Sequence, residues 1–146
     1  MKKIIVLLMI FIMAVSITAF ATENISVYIG NKKLEFDVQP QLINDRTMVP
    51  MRKIFESLGA EVTWVGEAET IVATRDSQII VMEIGKLSFT VTDVKTEVTK
   101  EVILDVPPQL VESRTLVPVR AISETFGYTV NWDDATTTVT ILRPAA

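Results

Sequence analysis

Asp37-Val38-Gln39-Pro40-Gln41-Leu42-Ile43-Asn44-Asp45-Arg46-Thr47-Met48-Val49-Pro50-Met51-Arg52 returns 68 residues later as Asp105-Val106-Pro107-Pro108-Gln109-Leu110-Val111-Glu112-Ser113-Arg114-Thr115-Leu116-Val117-Pro118-Val119-Arg120. The match continues without a gap, residues 37–75 on residues 105–143, with 17 of 39 positions identical. Beyond the quoted stretch, Ile54, Glu56, Gly59, Val62, Trp64, Thr70 and Arg75 reappear as Ile122, Glu124, Gly127, Val130, Trp132, Thr138 and Arg143. A period this long is one supersecondary unit built twice. It speaks to architecture and is silent on ligand.

Working outward, each copy contains a helix with readable ends. Pro50 and Pro118 suit a first helical position, and Gly59 and Gly127 suit the left-handed residue just past the last turn. Met51, Ile54, Phe55 and Leu58 fall at the i, i+3, i+4, i+7 spacing of an apolar stripe. The second stripe is thinner, because Ser123 stands where Phe55 was. Two alternating strands follow each glycine, carrying Val62/Trp64 then Ile71/Ala73, and Val130/Trp132 then Val139/Ile141. Before each helix, Asn44-Asp45-Arg46-Thr47 and its counterpart read as a turn-rich lead-in. Ile25, Val27 and Ile29 alternate up to Gly30-Asn31 and Leu34, a hairpin signal. Between the copies, Ile79–Ile84, Leu87–Val91 and Val102–Leu104 supply further strand, and Asp93 to Glu101 reads as a polar hairpin arm. The expected fold class is α+β: two tandem pseudo-symmetric strand–helix–hairpin repeats, mostly antiparallel, with one short helix per repeat. The copies would share one continuous sheet or two abutting sheets. No linker composition separates them, so one domain is expected over residues 22–146, with repeat 1 at about 25–77 and repeat 2 at about 78–143.

Lys2-Lys3, an apolar run from Ile4 to Val15 and Ala19-Phe20-Ala21 form the three parts of a secretory signal. Residues 1–21 are therefore expected to be a signal peptide, cleaved to leave Thr22. An uncleaved anchor competes, because Ile4 to Ala21 is 18 residues without a charge, a little short of the ~20 that a span wants. Cleavage leaves 125 residues with 12 basic and 18 acidic side chains. A net negative chain without a basic run is a poor partner for nucleic acid, whose affinity rests on Lys and Arg neutralising phosphates. The same balance argues against electrostatic binding to an anionic membrane surface. There is no cysteine, so a secreted domain of this kind is held by its core and not by disulfides. The expected location is secreted, extracellular or cell-wall associated.

The paired stretches Asp45 to Arg52 and Ser113 to Arg120, each followed by an aliphatic-Glu helix, a glycine and a Val-x-Trp strand, carry a resemblance. With Leu104-Asp105-Val106-Pro107-Pro108, they resemble the copper amine oxidase N-terminal domain-like family, also called the stalk domain. The resemblance spans about Ile25 to Arg143 and implies a secreted or surface module of the Gram-positive type, without catalysis. A copper amine oxidase active site needs three imidazoles and a tyrosine-derived quinone, and the resemblance places that site in a different domain. This chain has no histidine. Cu(II) prefers imidazole and Cu(I) thiolate or thioether, which leaves only Met48, Met51 and Met82 after cleavage. Packing explains Met48 and Met51, since their counterparts are Leu116 and Val119. No cofactor or metal is expected.

Nucleophilic catalysis needs a nucleophile with a base in reach, and the serines here have neither His nor Cys to assist. Asp133-Asp134 lies in an expected turn, where Asp bonds its own backbone; with Glu124 it lacks the ligand ladder of an EF-hand. Arg46, Arg114, Arg52 and Arg120 are the shared cations. Arg52/Glu56 and Arg120/Glu124 stand at i, i+4 with Arg first, the weaker orientation. A tertiary role is expected, a guanidinium fork reaching Asp37 or Glu56 in copy one and Asp105 or Glu124 in copy two; an anion site is the alternative. Trp64 and Trp132, in phase with Val62 and Val130, are expected on the buried face, with a sugar-stacking platform as the alternative. Tyr28 and Tyr128 are candidate surface aromatics, Tyr128 replacing Ala60 after the helix stop. Lys95, Glu97, Lys100 and Glu101 give the arm alternating charge, a candidate recognition element. Together these imply a non-enzymatic interaction module for an extracellular protein or a cell-wall polymer. A polysaccharide-binding module is the first alternative, and a metal-handling protein the second.

Overall fold

The computed structural model describes residues 24–145; the expected signal peptide and the Thr22 terminus lie outside the described residues. The described residues open with β1 (Ser26–Ile29) and β2 (Lys32–Lys33), joined by the expected two-residue turn at Gly30-Asn31. Then come β3 (Gln41–Ile43), β4 (Arg46–Pro50), α1 (Met51–Ser57), β5 (Glu61–Val65) and β6 (Thr70–Arg75). β7 (Gln78–Glu83), β8 (Ser88–Asp93) and β9 (Val98–Ile103) continue as a meander. The hairpin–helix–hairpin succession then recurs as β10 (Gln109–Val111), β11 (Arg114–Pro118), α2 (Val119–Thr125), β12 (Thr129–Asp133) and β13 (Thr138–Leu142).

Strands take up 50% of the described residues and helices 11%, which overturns the α+β assignment in favour of a mostly β fold. Among the described residues the strands form three sheets, β12-β13-β1-β2, β10-β11-β4-β3 and β5-β6-β7-β8-β9. Much of the error came from residues 41–50 and 109–118, read as lead-ins to helices. They are hairpins. Asn44 and Asp45 both adopt positive φ (48° and 62°) between the paired Ile43 and Arg46, the mark of a type I′ turn. Glu112 and Ser113 repeat it at 48° and 63° between Val111 and Arg114. Pro50 and Pro118 end their strands and cap the helices; they do not begin them.

β4 and β11 pair antiparallel at the centre of the molecule, Val49 opposite Val117, with Met48 opposite Pro118 and Pro50 opposite Leu116. Val49 and Val117 are the same position of the two copies, so a local two-fold axis passes through that pair. Each outer sheet holds the second hairpin of one copy. β1 lies parallel against β13, Val27 opposite Val139, so the first described strand completes the sheet made by the last hairpin. β7 has no counterpart there. It turns the chain back between β6 and β8, pairing antiparallel with both.

Alternation divides the central strands between two cores. Val49 and Val117 face the main one, which holds Ile54, Phe55, Ile122 and Phe126 and the inner faces of the outer sheets. Met48 and Leu116 point the other way, onto Val106. Each helix has seven residues and no side-chain cap, too few to be stable alone, and is held by its buried stripe. Both end in a Schellman motif: Ala60 N–H donates to the Phe55 carbonyl and Gly59 N–H to Glu56, and Tyr128 and Gly127 repeat this on Ser123 and Glu124. Gly59 and Gly127 take the left-handed conformation this requires, each at φ +83°. The two copies pack differently around the same frame. Phe55 becomes Ser123 and Leu58 becomes Phe126, and Phe55 meets the Phe126 edge at 6.2 Å and 81°.

Candidate functional site

The two-fold axis builds two equivalent grooves, each walled by both copies. In the first, Trp64, Arg52, Pro50, Met51 and Asp37 from copy one meet Leu110, Ser113, Arg114 and Thr115 from copy two. In the second, Trp132, Arg120, Pro118, Val119 and Asp105 from copy two meet Leu42, Asp45, Arg46 and Thr47 from copy one. A shift of 68 residues converts every one of these residues into its counterpart. The first is an open groove of about 740 Å³ that continues past Phe36 and Glu35. The equivalent path in the second is divided, about 530 Å³ beside Trp132 and about 440 Å³ beside Ile103. Leu42 and Leu110, each 53% exposed, give the grooves apolar rims.

The arginines explain how the halves are tied. Arg46 grips Asp105 through Nε (2.9 Å) and Nη2 (2.6 Å), and Arg114 grips Asp37 through the same two nitrogens at 2.8 Å. The expected acids were right and their copies exchanged: each guanidinium crosses to the other repeat. Both nitrogens meet one carboxylate oxygen, and all four side chains are roughly half exposed, so solvent screening leaves each pair weak. Arg114, together with the Val38 N–H, holds the Asp37 carboxyl below the ordinary carboxylate range. Arg52 and Arg120 make the local pair after all, 3.3 Å to Glu56 and to Glu124. They also donate across to the Val62 carbonyl (3.4 Å) and the Val130 carbonyl (2.8 Å), fastening helix to strand.

Trp64 and Trp132 sit on the inward face with Val62 and Val130, as their phase implies, yet both are only partly buried. β5 and β12 are edge strands, so one side of each indole packs on the core and the other opens to a groove. Among the described residues, no three His, Cys, Asp or Glu side chains come together to hold a metal ion. Asp133 accepts the Ala135 N–H at 3.0 Å and Asp134 accepts the Trp132 indole N–H at 3.4 Å, both local turn bonds.

Residues 28–141 match the model of the copper amine oxidase N-terminal domain. The chain belongs to that family. The N-terminal domain of a copper amine oxidase is a non-catalytic domain, so the match by itself does not point to an enzyme role. No curated protein matches the chain. The family name carries copper, but the donors here do not suit it, because the chain has neither imidazole nor thiolate.

Tyr128 does not serve as a surface aromatic. It is 9% exposed, in the main core, because the residue after a Schellman glycine folds back onto the helix it ends. Arg75 lies over its ring at 5.5 Å and over Phe126 at 5.2 Å. Tyr28 is half-buried on β1, between Thr140 and Lys33. Lys95 and Glu97 lie in the four-residue turn between β8 and β9, where Asp93 accepts the Lys95 N–H (2.9 Å) and the Thr96 N–H (3.3 Å). These bonds hold the Asp93 carboxyl below its ordinary range. Lys100 and Glu101 sit on β9, an edge strand. Leu104 N–H donates to Leu87, so β9 turns alternate residues to β8 and leaves Thr99, Glu101 and Ile103 facing the free edge. Ile103 is 72% exposed. A two-fold pairing of β9 with a second copy about its middle would oppose Lys100 to Lys100 or Glu101 to Glu101, which disfavours self-association there. No helix among the described residues is long and apolar enough to cross a membrane.

Proposed function

We propose that this chain is a secreted, non-catalytic binding module of the extracellular space or cell wall, and that its grooves take a wall polymer. The observation that supports this is the pair of two-fold-related grooves, each lined by a half-open tryptophan beside an arginine–aspartate pair. An indole with one packed face and one open face is a rigid, low-entropy platform for an apolar ligand surface. The paired charges beside it supply donors and acceptors for hydroxyl and amide groups without a net charge. The sequence readings of core ring and stacking platform therefore meet in one residue. The test is co-sedimentation of the purified protein with isolated cell walls. Trp64→Leu combined with Trp132→Leu, which keeps an apolar side chain on the core and removes the ring, should abolish it while far-UV dichroism stays unchanged. Undiminished sedimentation of that double variant would overturn the groove assignment.

The free edge of β9 favours a second reading, in which an extracellular protein adds a strand there. Replacing Asp93–Glu101 by a two-residue Asn-Gly turn would remove part of that edge. Loss of a protein partner with wall binding retained would support it.

A further inference from the structure

We propose that the two grooves are unequal, and that the one lined by Trp64 takes a neutral glycan while the one lined by Trp132 is closed to it. This rests on the wall-polymer reading above and goes to which site and which chemistry. The deciding position is the second residue after each tryptophan. In copy two it is Asp134, whose Oδ1 accepts the Trp132 indole N–H at 3.4 Å. In copy one it is Gly66, and the Trp64 indole N–H has no such partner among the described residues. A Cβ on Gly66 would stand 3.5 Å from Trp64 Nε1, so the glycine leaves open the space in front of the donor.

The rest of the lining points to an uncharged ligand. Arg114 is engaged by Asp37, and Arg52 by Glu56 and the Val62 carbonyl. Lys53 on the same wall makes no ion pair among the described residues, but Glu35, Asp37 and Glu56 against Arg52, Lys53 and Arg114 leave the lining with no net charge. Beside that ammonium the groove offers an apolar ring face, a free N–H donor and carboxylate oxygens with acceptor capacity, the set that a pyranose with hydroxyl and acetamido groups would use. In the other groove Asp45 stands where Ser113 stands in the first. That adds a carboxylate where the donor is already spent.

The chain contains two tryptophans, so Trp64→Phe and Trp132→Phe each leave one fluorescent reporter. The probe is an N-acetylglucosamine tetramer. The Trp132→Phe protein should show a saturable emission change, and the Trp64→Phe protein should bind at least about fivefold more weakly, the loss of one hydrogen bond of about 1 kcal/mol. Installing Gly66→Asp in the Trp132→Phe protein should weaken the response similarly, and Asp134→Gly in the Trp64→Phe protein should create one. Near-UV dichroism verifies that each variant is folded. Equal responses from the two single-tryptophan proteins, or a response confined to Trp132, would overturn the inference. So would binding of a wall peptide in place of the sugar. Sedimentation with walls while neither indole responds to the sugar sinks the inference and leaves the binding-module reading standing; no sedimentation sinks both.

Discussion

Ser123→Ala should make this protein more stable. Ser123 is fully buried in α2, and its Oγ has no hydrogen-bond partner. A buried hydroxyl left unpaired costs ~1–3 kcal/mol in desolvation, and serine is ~0.5 kcal/mol worse than alanine within a helix. Removing one oxygen sacrifices a few contacts of ~0.1–0.2 kcal/mol each. The net is a gain of about 1–2 kcal/mol, which for a domain of this size raises Tm by about 3–8 °C. The assay is urea denaturation with the m-value held constant, so that a higher midpoint reports stability alone. An unchanged or lower midpoint would refute the reasoning and show that the hydroxyl is satisfied, by an enclosed water or by the carbonyl one turn back. A second arm uses the copy difference. Ser123→Phe alone should overpack against Phe126, and Phe126→Leu alone should leave a void. The double variant recreates the Phe55/Leu58 arrangement, so it should lose less than the two single variants together.

The cross-copy ion pairs should be weak: a double-mutant cycle on Arg46 and Asp105 should return no more than ~1 kcal/mol of coupling, and less in high salt. The Asp37 and Asp93 carboxyls are held below their unfolded values, the first chiefly by Arg114 and the second chiefly by the Lys95 N–H. A depressed folded pKa gives stability that is present above the unfolded value, about pH 4, and lost as pH falls through the folded one. Asp37→Asn should therefore be less stable than the parent at neutral pH and converge with it near pH 2 in denaturant titrations. Glu112→Asn with Ser113→Gly should stabilise by about 1–2 kcal/mol, because left-handed backbone is costly for residues with a Cβ and Asn-Gly suits a type I′ turn. A lower midpoint for that pair would mean that the Ser113 side chain contributes more than its backbone strain costs.

What was legible in the sequence was local. The hairpin at Gly30-Asn31, the helix stops at Gly59 and Gly127 and the inward phase of the tryptophans followed from spacing and turn chemistry. The central hairpins were missed because Pro50 and Pro118 drew attention to the helices they precede. Asn44-Asp45 between apolar Leu42-Ile43 and Met48-Val49 was the turn signal that could have found them. Tyr128 was misread because a loop position after a glycine suggests exposure, whereas the helix stop itself directs that residue inward. The exchanged partners of Arg46 and Arg114 lay beyond sequence reasoning. Asp37 and Asp105 sit in the same local motif, and only the two-fold packing of the copies decides which acid each guanidinium meets.

That packing gives the repeat its consequence. If each copy folded on itself, the chain would carry two small sites, each complete within one repeat. Instead Arg114 belongs to the groove of Trp64 and Arg46 to the groove of Trp132, β4 pairs with β11 at the axis, and β1 completes the sheet of β13. A single copy would lack the opposing rim of its own groove, half of its central sheet and the acid partner of its turn arginine. Doubling the motif thus yields one interlocked body, in which sequence drift in one copy changes the groove of both. Such a body can keep its frame through identical residues such as Val49, Val117 and the two glycine stops while the groove linings diverge. Gly66 against Asp134 and Ser113 against Asp45 are that divergence, at positions the frame does not need.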